Sequence, residues 1–379
     1  MTPIPLSLYI HIPWCVRKCP YCDFNSHQAN AEVPEKKYIQ ALLADLESEL
    51  PNIWGRAIHS VFIGGGTPSL FSAQAIDQLL RGLRERLPIR PNIEISMEAN
   101  PGTFEQARFA EYREAGINRL SIGIQSFSGK QLKNLGRIHD ASEALNATRI
   151  AKKSGFDNFN LDLMFGLPEQ TIQQALDDLQ QAIDRQPAHI SWYQLTLEEN
   201  TLFHHSPPVL PDDDLLWDMQ QQGQRLLKEC GYKQYEVSAY AKPDRQCQHN
   251  LNYWQFGDYL GIGAGAHGKL TSPDGLISRH SKHRHPNKYM QAALNGIPRS
   301  QQQLIEGKDL IFEFMLNQIR LKQGFSKELF EQRTFLDFAS IQPEIERLIE
   351  IGLIKKNAQY YRTTDKGWAF INSIVEQFL

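Results

Sequence analysis

The chain has 379 residues, of which 41% are hydrophobic and 22% charged, enough for a large core and more than one domain. Its 40 Lys and Arg against 43 Asp and Glu leave a net charge of −3, which excludes a globally basic nucleic-acid binder and predicts no nucleic-acid partner. The opening MTPIPLSLYIHIPW has no basic start, and no segment approaches the ~20 apolar residues of a membrane span. The expectation is a cytoplasmic protein that is not integral to a membrane.

In chain order, LSLYIHI, SVFIGG, IEISMEA, RLSIGIQ, FNLDLMFG and HISWYQLT read as strands. Between them YIQALLADLESEL, AQAIDQLLRGLRERL, EQARFAEYREAG, ASEALNATRIAKKSG and TIQQALDDLQQAID carry apolar residues at helical spacing. Such alternation predicts a parallel sheet under helices, and six units suit an open α/β barrel better than a closed eightfold one. A helix, DDDLLWDMQQQGQRLLKECG, and a strand, QYEVSAYA, then lead out of the barrel. The division predicted is a barrel over 1–240, a connecting region over 241–300 and a C-terminal module over 301–379. In that module helices, a two-strand hairpin and a final helix suggest a winged-helix-type α+β unit. RHSKHRHPNK, 279 to 288, reads as a solvated loop.

Chemistry in α/β barrels gathers at the carboxyl ends of the strands. Cys15, Cys19 and Cys22 follow the first strand in a C-x3-C-x2-C array, Gly64 to Thr67 the second, Glu98 and Asn100 the third and Gln125 the fourth, while Asp162 lies on the fifth. Five cysteines, three of them crowded together, make a poor disulfide framework and a good metal site. Two readings fit: zinc completed by His11 or His27, or an iron–sulfur cluster with one iron left open. GGGTPS removes side chains where backbone must approach something closely, a ligand or merely a tight turn. Glu98 and Asp162 are carboxylates in otherwise apolar strands, where an unpaired charge is costly. GIGAGAHG, 261 to 268, lacks the context of a dinucleotide fingerprint and is expected to close over the barrel mouth.

Taken together, this array after a first strand resembles the radical S-adenosylmethionine superfamily, in which three thiolates hold a [4Fe–4S] cluster and S-adenosylmethionine takes the fourth iron. YIHIPWCVRKCPYCDF, FIGGGTPSL, MEANPGT, RLSIGIQSF, LGRIH and NLDLMFGLPEQT narrow the resemblance, over almost the whole chain, to one branch. That branch contains oxygen-independent coproporphyrinogen III dehydrogenase and the haem chaperones of the HemW family. The resemblance implies an incomplete (β/α)6 radical-SAM-type barrel with a C-terminal winged-helix-like module. It implies cluster ligation by Cys15, Cys19 and Cys22, and S-adenosylmethionine contacts from Tyr9, Gly65, Gly66, Thr67, Glu98, Gln125, Arg137 and Asp162.

Within the branch two features favour the chaperones. The dehydrogenase pattern carries a further cysteine where this chain has Phe24, and QHNLNYW, 248 to 254 with the preceding Gln, resembles the H-N-x-x-Y-W motif of the chaperones. The resemblance then implies haem as ligand, His249 as its iron ligand, and Tyr253 and Trp254 against the porphyrin; Cys247, two residues earlier, reads as a small loop residue, with an axial or covalent role as the lesser alternative. The implied partner is an acceptor haemoprotein, for example a membrane respiratory enzyme, with a dimer left open. The rival reading is radical oxidative decarboxylation of coproporphyrinogen III.

Overall fold

Side chains alternate across a β-strand. In β1 (Leu6–Ile12) this sends Leu6, Leu8, Ile10 and Ile12 one way and Ser7, Tyr9 and His11 the other. The apolar set joins Leu42 and Leu46 of α1 (Glu35–Ile53) in one large core. The structure is a computed structural model and describes residues 4–29, 32–53 and 55–379.

The same alternation recurs in β2 (Ile58–Gly65), β3 (Ile89–Ala99), β4 (Arg119–Gln125), β5 (Phe159–Phe165) and β6 (His189–Gln194). These are the six predicted strands, paired parallel in chain order. Helices α2 (Ala73–Arg86), α3 (Phe109–Ala115), α4 (Ala141–Lys153) and α5 (Ile172–Asp184) bury their apolar stripes in the same core. Capping boxes start two of them, Asp140 with Glu143 and Thr171 with Gln174, which is why the chain turns helical at those points. Among the described residues β1 and β6 are not neighbours, so the barrel is open and α/β as expected.

After α6 (Asp213–Glu229) the chain forms β7 (Lys233–Glu236) and β8 (Ala239–Ala241). QYEVSAYA is therefore two antiparallel strands rather than one: the Glu236 carboxylate accepts from Ser238 N and Oγ, both at 3.0 Å, and turns the chain between them. Strand β8 extends the sheet beside β6. Next come α7 (Gln248–Trp254), β9 (Asp258–Ile262), β10 (His267–Thr271), β11 (Ile277–Lys282), α8 (Pro286–Leu294) and β12 (Arg299–Leu304). Strand β9 lies parallel on the other side of β1, and β10, β11 and β12 follow antiparallel. The span 241–300 thus adds strands β9, β10 and β11 and the start of β12 to the main sheet.

The basic stretch 279 to 288 is a solvated loop only in its middle: residues 279–282 end strand β11, Arg284 and His285 are exposed, and α8 begins at Pro286. Lys282 is fully buried, its Nζ 2.5 Å from Asp45 and 2.6 Å from Glu49 of α1, while Arg279 pairs with Glu313. Carboxylates from distant parts of the chain make these cations buriable.

The C-terminal module comprises α9 (Gly307–Gln318), α10 (Lys327–Thr334), α11 (Gln342–Glu350), the hairpin β13 (Ile354–Lys356) and β14 (Tyr361–Thr363), and short terminal helices. Phe314, Phe325, Phe330 and Phe338 centre its core, which Phe256 and Ile277 enter from the main sheet. No helix among the described residues is long and apolar enough to cross a membrane.

Candidate functional site

The cysteine loop leaves β1 and is closed at its base by a two-residue ladder, Trp14–Cys15 against His27–Gln28. Cys15, Cys19 and Cys22 are free thiols on one wall of a cavity of about 550 Å³ at the carboxyl ends of the barrel strands. Burial raises the pKa of Cys15 and of Cys22. Arg137 opposes this at Cys15; its Nη1 lies 3.7 Å from Cys19 Sγ, and its Nη2 is fixed by Asn100 Oδ1 at 2.9 Å and Gly123 O at 2.8 Å.

Both candidate fourth ligands for zinc are engaged elsewhere. His11 Nε2 donates to Asn25 O at 2.8 Å, so its Nδ1 accepts from Tyr9 Oη at 2.9 Å, and burial lowers its pKa to about 4. His27 Nε2 lies 3.2 Å from Arg284 O. Among the described residues no three His, Cys, Asp or Glu side chains converge on one point as a single ion requires. Three soft thiols on one loop would suit a multinuclear cluster, each binding a different iron.

Gly65, Gly66, Thr67, Glu98, Gln125, Arg137 and Asp162 line the same cavity. The glycines are demanded by the protein itself: Gly65 has φ +116, where a Cβ would stand 2.6 Å from His11, and one on Gly66 would meet Trp14 O at 2.5 Å. Glu98 accepts from Gly65 N at 2.9 Å, and burial first, then the neighbouring Asp162, push its pKa up to about 8. Gln125 sits in the left-handed region at φ 67, where its Oε1 accepts from Tyr193 Oη at 2.8 Å. Tyr9 is not on the cavity wall; its hydroxyl is taken up by His11. GIGAGAHG does not line the cavity either. It buttresses the cysteine loop from outside: Asn25 Nδ2 donates to Ala264 O and to Arg284 O, each at 2.9 Å.

Sequence reasoning passed over Ser121, Ser191 and Tyr193, which also line the cavity, and Asn160 and His189 beneath it. Their signal was the polar residue at every second position of RLSIGIQ, FNLDLMF and HISWYQ.

The HNLNYW segment lies at the opposite, amino-terminal end of the barrel. Helix α7 closes that end as a floor. His249 is 8% exposed, with Nδ1 3.2 Å from Ser60 Oγ and its ring 5.1 Å from Phe62, and burial lowers its pKa to about 3. Glu94 accepts from Gln248 N at 3.2 Å and from His249 N at 3.3 Å. Cys247 is buried and its pKa rises to about 12. Trp254 stacks beneath Arg320 at 4.3 Å and Tyr253 packs on Tyr259 at 5.0 Å, so both aromatics pin the helix.

Residues 9–182 match the Radical SAM superfamily and 305–370 the HemN C-terminal domain. Heme chaperone HemW of Escherichia coli strain K12 is 54% identical over 375 residues, covering 99% of this chain and 98% of that protein. The chain belongs to the HemW family. A HemW from Haemophilus influenzae is 53% identical over 379 residues, again covering 99% of this chain and 98% of that protein. Mouse mitochondrial radical S-adenosyl methionine domain-containing protein 1 is 33% identical over 382 residues, 97% of this chain and 86% of that protein. The fold of this chain is similar to that of coproporphyrinogen III oxidase, HemN, from E. coli, with a TM-score of 0.83, 24% identity, and coverage of 99% of this chain and 90% of that one.

Proposed function

We propose that this protein is a cytoplasmic haem chaperone that binds haem, a [4Fe–4S] cluster and S-adenosylmethionine, and passes haem to an acceptor haemoprotein. The observation that carries the reading is the cysteine wall: three free thiols face one cavity, and Phe24, 57% exposed, stands at its rim where the dehydrogenase pattern has a further cysteine. The names borne by relatives at 54% and 53% identity support it.

Cys15, Cys19 and Cys22 would hold the cluster. When bound, it supplies one-electron chemistry beside the sulfonium of S-adenosylmethionine. Gly65, Gly66 and Thr67 offer backbone to that ligand, and Glu98 a carboxyl that gives up its proton when a cationic amino group pairs with it. Gln125, Arg137 and Asp162 present hydrogen-bonding groups on the same wall. Haem ligation by His249 would require α7 to leave the barrel floor.

The test is anaerobic reconstitution followed by parallel assays for haem binding, haem release to an apo-haemoprotein and conversion of coproporphyrinogen III. Wild type is expected to bind and release haem and to form no protoporphyrinogen IX, while Cys19→Ala loses cluster iron and Cys230→Ala keeps it. Protoporphyrinogen IX from wild type would replace the chaperone by an enzyme. Full cluster content in Cys19→Ala would remove the cysteine assignment.

A further inference from the structure

A row of polar side chains runs down the barrel lumen from the cavity to the floor. Asp162, on the cavity wall, accepts from Asn160 Nδ2 at 2.7 Å and from Ser121 Oγ at 3.0 Å. An amide that donates from its nitrogen presents its oxygen the other way, and Asn160 Oδ1 lies 2.6 Å from His189 Nδ1 and 3.1 Å from Ser191 Oγ. His189 Nδ1 therefore carries the proton.

Burial, then Arg119, lower the His189 pKa well below its ordinary value, so the ring is neutral and its Nε2 bare. That nitrogen lies 2.8 Å from Tyr235 Oη, which must donate. The phenol oxygen in turn accepts from Cys247 N at 3.3 Å, the residue that opens α7. Every link has one polarity, from the floor helix to the carboxylate. Such a chain is cooperative, because each donor is oriented by the acceptor behind it.

We infer that Asn160, His189 and Tyr235 are positioning residues that hold Asp162 as an acceptor toward the cavity, with the HNLNYW helix anchoring the row at the floor. This rests on the cavity being the S-adenosylmethionine site, whose ligand offers hydroxyl and amino donors. The charged and titratable groups around Asp162 are Glu98 on β3, Arg119 on β4, His189 and Tyr193 on β6, and Tyr235 beyond them. Burial raises the Asp162 pKa and the donors from Ser121 and Asn160 pull it back. Breaking the row therefore raises it further.

The experiment is equilibrium dialysis of labelled S-adenosylmethionine against the cluster-reconstituted full chain across mildly acidic to alkaline pH. His189→Leu is expected to bind about tenfold more weakly, as for one lost charge-assisted hydrogen bond, with the pH midpoint of binding moved upward. His189→Gln keeps a donor and an acceptor and is expected within about threefold of wild type. Tyr235→Phe, a milder change should His189→Leu not fold, is expected to shift the midpoint the same way. Wild-type affinity and an unmoved midpoint in both His189→Leu and Tyr235→Phe would overturn the relay and leave the cofactor reading standing. Absence of binding by wild type would overturn both.

Discussion

Glu98 shows what a single side chain contributes and costs here. Its carboxyl is buried, holds one backbone donor and faces a second carboxylate, so its pKa stands at about 8 against 4.5 for the free group. A carboxyl whose pKa is raised on folding binds its proton more tightly in the folded state. It costs nothing below about 4.5, costs progressively more up to about 8, and reaches a plateau above that. Glu98→Gln is therefore expected to stabilise the empty protein by on the order of 2 kcal/mol at alkaline pH and to leave it unchanged in acid. Urea unfolding at two pH values reads this, and equal midpoints for variant and wild type in alkali would refute it. The sequence made Glu98 legible because a carboxylate stands out in an apolar strand. Tyr9 was legible only as a motif position, since nothing in YIHI says that its hydroxyl turns to His11.

Elements were legible to the degree that their partners are local. The six barrel strands and their helices announce themselves by periodicity and caps, and all six strands are present. Strand β11 did not, because RHSKHRHPNK is polar throughout and its counter-charges, Asp45 and Glu49, lie more than two hundred positions earlier. The pair matters to the candidate site: Asp45 also accepts from Gly263 N at 3.2 Å, beside the Ala264 carbonyl that holds Asn25 of the cysteine loop. Removing the cation leaves two carboxylates buried without it. Lys282→Met is expected to lower stability by about 3–5 kcal/mol, measured by urea unfolding, and a loss below about 1 kcal/mol would show the network to be dispensable. Helix α7 was legible as a motif but not as a floor, since only the fold reveals which end of the barrel it closes.

At the scale of the molecule, barrel and C-terminal module share a core and are expected to unfold together. Phe256 and Ile277 sit in the module's core, Arg279 pairs with Glu313, and Arg320 reaches back to Glu236 at 3.4 Å and covers Trp254. A chain ending at Leu304 would uncover Phe256, Ile277 and Trp254. It is expected to aggregate or to bind a hydrophobic dye strongly, and a soluble monomer with the full-length unfolding midpoint would refute the coupling. The module's own fold was readable from its helix–hairpin–helix pattern. Its attachment was not, because the surface that receives it is built from a glycine- and histidine-rich stretch that reads as connection rather than sheet.

The closed floor makes the barrel a flask rather than a pipe. Traffic through a vessel with one neck is ordered by depth: what enters last leaves first. On the proposed reading, a ligand that reached Asp162 would be shielded from exchange by whatever lay nearer the neck.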